Sequence, residues 1–239
     1  MSSTFMRGFQ LLELAIVLVA LGVITLMATF AFSGVDQKNT RAQSAAEAEN
    51  AREAIRAFLL ANKRLPCPDT NADGHENCGG GESGYLPYAS LGLTENTHNR
   101  MRYSVYRASG TNDATRLEER TGDAEGDPDY RGYGDTLAAL TQIPATPLDG
   151  AHIRVAGLAP NGASDCASTA THPAFALVVP NRDADGSGNP LDGLNAGVAV
   201  GSAGGCIASP RQPAAWNYDD FVLAESAAAL TGWLARHIN

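Results

Sequence analysis

The sequence predicts an α+β fold: a long N-terminal helix, transmembrane then amphipathic, packed on an antiparallel sheet of about four strands, with loop-rich connections and a C-terminal helix. Three observations predict it. An uncharged run extends from Leu14 to Phe32, and apolar residues at helical spacing continue behind it to Leu59 with no proline before Pro66. The segments that follow alternate apolar and polar residues, or run apolar for strand lengths, between turn-forming clusters.

The run Leu14 to Phe32 makes roughly 28 Å of helix at ~1.5 Å per residue, close to the ~30 Å hydrocarbon core of a bilayer. Arg7, with no balancing acid in the leader, places the N-terminus on the cytoplasmic side and the bulk of the chain on the other. Gly22, Ser33 and Gly34 are weak helix formers within the helix, suited to local bending or to close packing. From Val35 the chain turns polar. Ala48, Ala51, Ile55, Phe58 and Leu59 form an apolar stripe, while Glu49 can pair with Arg52 and Glu53 with Arg56. Pro66 and Pro68 end the helix in an extended exit.

Strands come next. Met101, Tyr103 and Val105 alternate with Arg102, Ser104 and Tyr106; His152 to Ala156 alternates likewise. Ala174 to Val179 reads as a buried strand, Gly197 to Val200 as a short fourth, and Phe221 to Ala224 as the closing one. Between Ala108 and Gly150, the acids Glu118, Glu119, Asp123, Glu125, Asp127 and Asp129, followed by Pro144 and Pro147, read as a solvated loop. Leu223, Ala227, Leu230, Leu234 and Ile238 then trace an amphipathic helix with Ser226 at its N-cap.

Composition narrows the class. With 44% apolar residues the roughly 200 residues behind the apolar run can bury one good-sized core. The net charge of −9 argues against general nucleic-acid binding. Cys67, Cys78, Cys166 and Cys206 all fall on the side the charge rule places outside the cytoplasm, so they read as two disulfides. Of the three connectivities the sequence leaves open, we favour the sequential pairs, each stabilising by ~3 to 4 kcal/mol in the chain-entropy model.

The most informative residues are Arg7-Gly8-Phe9-Gln10-Leu11-Leu12-Glu13. A short leader with one base meets a Gly-Phe junction, and one carboxylate stands just inside the apolar run. A secretory signal peptide has a shorter apolar core and a small-residue cleavage site, whereas this run is longer and carries Glu13. A plain membrane anchor leaves Gly8-Phe9 and Glu13 unexplained. The order resembles the type IV prepilin signature of pilins and pseudopilins. Arg64-Leu-Pro-Cys-Pro-Asp69, Gly84-Tyr-Leu-Pro-Tyr-Ala-Ser-Leu-Gly-Leu93, Arg102-Tyr-Ser-Val-Tyr106 and Tyr218-Asp-Asp-Phe-Val-Leu223 add a looser likeness to large minor-pilin-like proteins.

The resemblance implies a type IV pilin-like fold in three parts: a leader over 1–8, a transmembrane and filament-core helix over 9–35, and the helix continuation with an extracytoplasmic domain over 36–239. It implies cleavage after Gly8 and N-methylation at Phe9 by a prepilin peptidase. A minor pilin or pseudopilin so made resides in the inner membrane as a precursor and then joins other subunits, through an inner-membrane assembly platform, in a periplasmic or cell-surface filament. A carboxylate in an apolar helix is costly unless paired, and a free amino group at Phe9 of a neighbouring subunit would pair with Glu13.

Two loops have the alternating oxygen donors that Ca²⁺ takes. Asn181, Asp183, Asp185, Gly186, Asn189 and Asp192 occupy positions 1, 3, 5, 6, 9 and 12 of an EF-hand-like loop, although a strand precedes it and Pro190 interrupts it. Asp69, Asn71, Asp73 and Gly74 begin another without its closing acid, and Asx residues also stabilise turns with no metal.

No G-x-S-x-G, H-E-x-x-H or Walker A motif is present, so the chain reads as a structural protein and not an enzyme. The alternative function is a pilus-borne adhesin or ligand-binding module, with Trp216, Trp233, Tyr85, Tyr88, Tyr130 and Tyr133 as stacking surfaces, although such rings more often pack in a core.

Overall fold

The computed structural model describes residues 6–95, 100–108, 113–116, 132–145 and 150–238, with backbone alone at 6–12 and 27–39. The chain divides into two compact units, Met1–Gln43 and Ser44–Asn239. Its elements are α1 (Met6–Asn62), β1 (Ser83–Tyr85), β2 (Arg102–Val105), α2 (Tyr133–Thr141), β3 (Ile153–Val155), β4 (Gly157–Leu158), β5 (Ser164–Asp165), β6 (Phe175–Val179), a 3₁₀ turn (Gly193–Gly197), β7 (Gly205–Ile207), β8 (Phe221–Glu225) and α3 (Ala227–His237).

In the first unit, the described side chains of α1, Glu13 to Leu26, are exposed. The backbone stays helical through Gly22, Ser33 and Gly34, so none of these weak formers breaks it. The expected membrane-spanning first half is corrected. Among the described residues no helix is long and apolar enough to cross a membrane.

In the second unit, α1 buries Ser44, Ala48, Ala51, Ile55 and Leu59, a stripe that repeats every three or four residues. Its four apolar members share one core with Tyr103 of β2, Phe175 and Leu177 of β6, and Leu230 and Leu234 of α3. Phe58 is only half-buried, with the Arg64 guanidinium 5.1 Å from its ring centre. Arg56 donates to the buried Glu225 carboxylate of β8 at 3.1 and 3.2 Å, and Arg52 stands 3.8 Å from it. The surface pairs Glu49–Arg52 and Glu53–Arg56 form at 2.6 and 2.8 Å. The helix closes at Lys63, whose φ of 55° is left-handed, and Tyr133 and Thr136 of α2 donate to the carbonyls of Leu60 and Lys63.

The main sheet has the order β1-β2-β6-β8, antiparallel throughout. Its makeup corrects the expected one. His152 to Ala156 is not part of it: β3 within that segment pairs in parallel with β7, and β4 pairs with β5 in a third small sheet. Gly197 to Val200 is no strand, because the chain there leaves the 3₁₀ turn, held by Asn195 N–H donating to Asp192 O at 3.1 Å. The missing strand is β1, where a Cβ on Gly84 would run into the Asp69 carbonyl and only glycine allows the approach. The stretch expected as a loop contains α2, which buries Thr136, Ala139 and Leu140. Glu118 to Asp129 and Pro147 lie outside the described residues.

Disulfides join Cys67 to Cys78 and Cys166 to Cys206, with Cα separations of 5.1 and 6.2 Å. They indicate an oxidising, extracytoplasmic location. Beside the first, Glu76 is gripped by both Arg64 amino groups at 2.5 and 2.8 Å and by the Cys67 N–H at 3.0 Å. Burial alone would raise its pKa, but these partners hold it below the usual carboxylate range.

Ile55→Ala should cost ~2–5 kcal/mol by chemical denaturation, the usual range for emptying a buried Ile site. Glu53→Ala, which removes an exposed ion pair, should change stability by less than ~1 kcal/mol.

Candidate cation site

Because β6 and β8 run antiparallel with Val179 opposite Phe221, the exit of one strand lies beside the entry of the other. The loop leaving β6 carries Asp183, Asp185 and Asp192, and the residues entering β8 are Asp219 and Asp220. One carboxylate oxygen from each of Asp183, Asp185 and Asp192 lies within 4.8 Å of the others, and the same holds for Asp192, Asp219 and Asp220. Asp192 is common to both groups.

The ligand set expected from the sequence is divided by this geometry. Asn181 turns away from the loop, accepting from Ser44 Oγ at 2.5 Å and donating to the Asp219 carbonyl. Asn189 accepts from Leu191 N–H at 3.0 Å, an Asx turn. The exposed Asp183 takes the N–H groups of Ser187 and Gly188 at 2.9 and 2.8 Å. Asp185 takes those of Ser187 and Gly193 at 2.9 and 3.4 Å. Gly186, at φ 71°, supplies the left-handed bend this turn needs. Ser187 holds the Asp185 carboxyl below its ordinary range.

The Asp192 side chain is buried and spends both oxygens on backbone: Oδ1 accepts from Ala184 and Asp185, Oδ2 from Asp219 at 2.9 Å. Asp219 is paired with Arg182, whose Nε donates to Oδ2 at 2.9 Å. Asp220 is only 1% exposed. Its Oδ2 accepts from Asp192 N–H and Asn195 Nδ2, each at 2.8 Å, while its Oδ1 is buried with no hydrogen-bond partner. Burial pushes the Asp220 carboxyl up to about 7 and the charges of Asp192 and Asp219 add to the rise, against the lowering by Asn195 and the Asp192 N–H. Asp219 is raised too, by burial first and then by Asp192, against the lowering by Arg182.

Asp219 and Asp220 are the residues sequence reasoning missed at this site. The signal was an Asp pair directly before a strand, opposite an Asx-rich loop directly after another, legible only once the two strands are paired. The Asp69 to Gly74 loop gathers no such group. Asp69 is buried and satisfied by the N–H groups of Asn71, Ala72 and Gly74, and Asp73 by that of His75. Glu76 lies beside Cys67 and Cys78, but their sulfurs are joined to each other.

The other sequence candidates belong to other elements of the chain. Gly8 and Phe9 fall where only the helical backbone is described, and Glu13 is an exposed carboxylate on α1. His152 pairs with the buried Glu82 at 2.6 Å, and the buried His172 donates to the Ile153 carbonyl. Of the aromatic set, Tyr88 is buried, Tyr85 packs under Arg100 and Arg102, and Trp233 stacks on His237 at 4.4 Å. Trp216 is 83% exposed. Tyr130 lies outside the described residues.

In metal-free buffer, folded Asp220 keeps a proton that the unfolded chain releases near pH 4, so its contribution to stability falls as pH rises from about 4 to about 7. Denaturation midpoints measured with chelator should therefore decline less steeply over that window for Asp220→Asn than for the wild type. Comparison of the chain with family models, curated proteins and solved structures finds no match.

Proposed function

We propose that this chain is a structural subunit, a minor pilin or pseudopilin, of an extracytoplasmic filament of the type IV pilus or type II secretion kind. One observation carries the reading: the exposed segment of α1 from Leu14 to Leu26 is apolar on every side, and Glu13 is the single charge at its edge. Its large side chains are between 46% and 68% exposed, from Val23 to Val19. A helix apolar all round needs cover from something equally apolar. Copies of the same segment in neighbouring subunits meet that need, and the Gly8-Phe9 junction supplies the other half of the logic. Cleavage there by a prepilin peptidase makes an ammonium at Phe9 that an adjacent subunit presents to Glu13. The two disulfides fit assembly in the periplasm or at the cell surface, guided by an assembly platform at the inner membrane. The chain's own part is packing and not catalysis.

Mass spectrometry of mature protein should find N-methyl-Phe9 at the terminus, and Gly8→Val should leave the precursor uncut. An intact Met1 terminus on filament-borne protein would refute the assignment. Glu13→Ala should be cleaved normally yet enter filaments poorly, since leaving one member of a buried ion pair alone costs ~3–5 kcal/mol. Glu13→Asp should be partly tolerated. Wild-type incorporation of Glu13→Ala, measured in sheared filaments, would count against the pairing.

A further inference from the structure

The geometry points to a calcium site formed by Asp192, Asp219 and Asp220 at the junction of β6 and β8, and not by the Asx-rich loop between Asp183 and Asn189. Asp192 and Asp219 accept hydrogen bonds too, from backbone N–H groups and from Arg182, so the distinction rests on burial and on the one oxygen left without a donor. Asp183 and Asp185 are exposed and turned onto N–H groups of their own turn. Asp220 is buried, and its Oδ1 has no hydrogen-bond partner in a cluster that holds two more carboxylates. A buried carboxylate oxygen without a donor is costly, and like charges beside it add to the cost. A bound cation removes both penalties.

The charge and the donors select the ion. Arg182, through its bond to Asp219, is the cation paired with this triad. Three carboxylates against one guanidinium leave two negative charges, which one divalent ion neutralises. The donors are hard oxygens, as Ca²⁺ and Mg²⁺ require. Three protein carboxylates suit Ca²⁺, which takes many oxygens in a flexible geometry, whereas Mg²⁺ keeps most of its water and is held by one or two carboxylates. Water completes the shell. The ion fastens the start of β8 to the end of the loop that leaves β6.

The test uses the full chain with its disulfides intact, in mild detergent, stripped with chelator and titrated with CaCl₂ or MgCl₂. Calcium at roughly a hundredfold excess over Kd should raise the melting temperature by several degrees, and magnesium should not. Asp220→Asn should lose that shift, while the double change Asp183→Ala with Asp185→Ala should keep it. No calcium shift in the wild type, a full shift in Asp220→Asn, or an equal shift with magnesium would overturn the assignment. So would loss of the shift in the loop double mutant alone.

A second readout does not depend on a folded Asp220 variant. Tyr218 Oη lies 3.4 Å from Asn195 Nδ2, which donates to Asp220 Oδ2 at 2.8 Å, so Tb³⁺ in this site should luminesce on tyrosine excitation. A saturable wild-type signal displaced by Ca²⁺ but not by Mg²⁺ supports the site, and the absence of any sensitised signal rejects it.

Discussion

The globular unit depends on the burial of one stripe of α1. Ala48, Ala51, Ile55 and Leu59 are essentially inaccessible, and they share a core with the central strand β6, whose five residues are all buried. Small residues at 48 and 51 let the helix approach closely, and the branched side chains at 55 and 59 fill the space beyond. The charged groups follow from that approach. Arg56 is brought to the buried Glu225 on β8 and lies 5.0 Å from the centre of the Trp233 ring on α3, so a single cation joins three elements. Removing the carboxylate leaves Arg56 only its exposed partner Glu53, and removing the guanidinium leaves the buried Glu225 only the more distant Arg52.

Much of this was legible in the sequence where a periodic pattern meets one partner. The second half of α1, β2, β8 and α3 with its Ser226 cap announce themselves by alternation or helical repeat, and β6 by an apolar run of strand length. The illegible parts are those where a distant segment decides. Ser83 to Tyr85 is too short and too rich in glycine to read as a strand; it is one because β2 and the Asp69 bridge lie on either side of it. Tyr133 to Thr141 follows an acidic run, and its helix is stabilised by carbonyls at the end of α1. The parallel pairing of β3 with β7 cannot be read from alternation, which carries no information about strand direction.

The acidic site divides along the same line. Local spacing picked out Asp183, Asp185 and Asp192, and these do converge, but Asp183 and Asp185 take their donors from the loop's own backbone, while Asp192 also takes the N–H of Asp219 at the entry to β8. Asp219 and Asp220 are brought there by the sheet. Asn181, at the first position of the loop, serves a different contact altogether, linking Ser44 of α1 to the backbone of Asp219. A spacing motif finds the residues able to bind; the neighbouring strand decides which of them are left without donors.

The strand order β1-β2-β6-β8 bears on how the chain acquires its structure. Ala176 sits between Ser104 on one side and Ala224 on the other, so the most buried strand has no partner close to it along the chain. Sheets closed only by such distant pairings form slowly, since the entropy of drawing the ends together precedes any reward. α1, whose hydrogen bonds are local, can form first. A chain emerging into an oxidising compartment would then present a finished helix beside an unfinished sheet. The Cys166–Cys206 link, which encloses β6, shortens the search for the strands that remain.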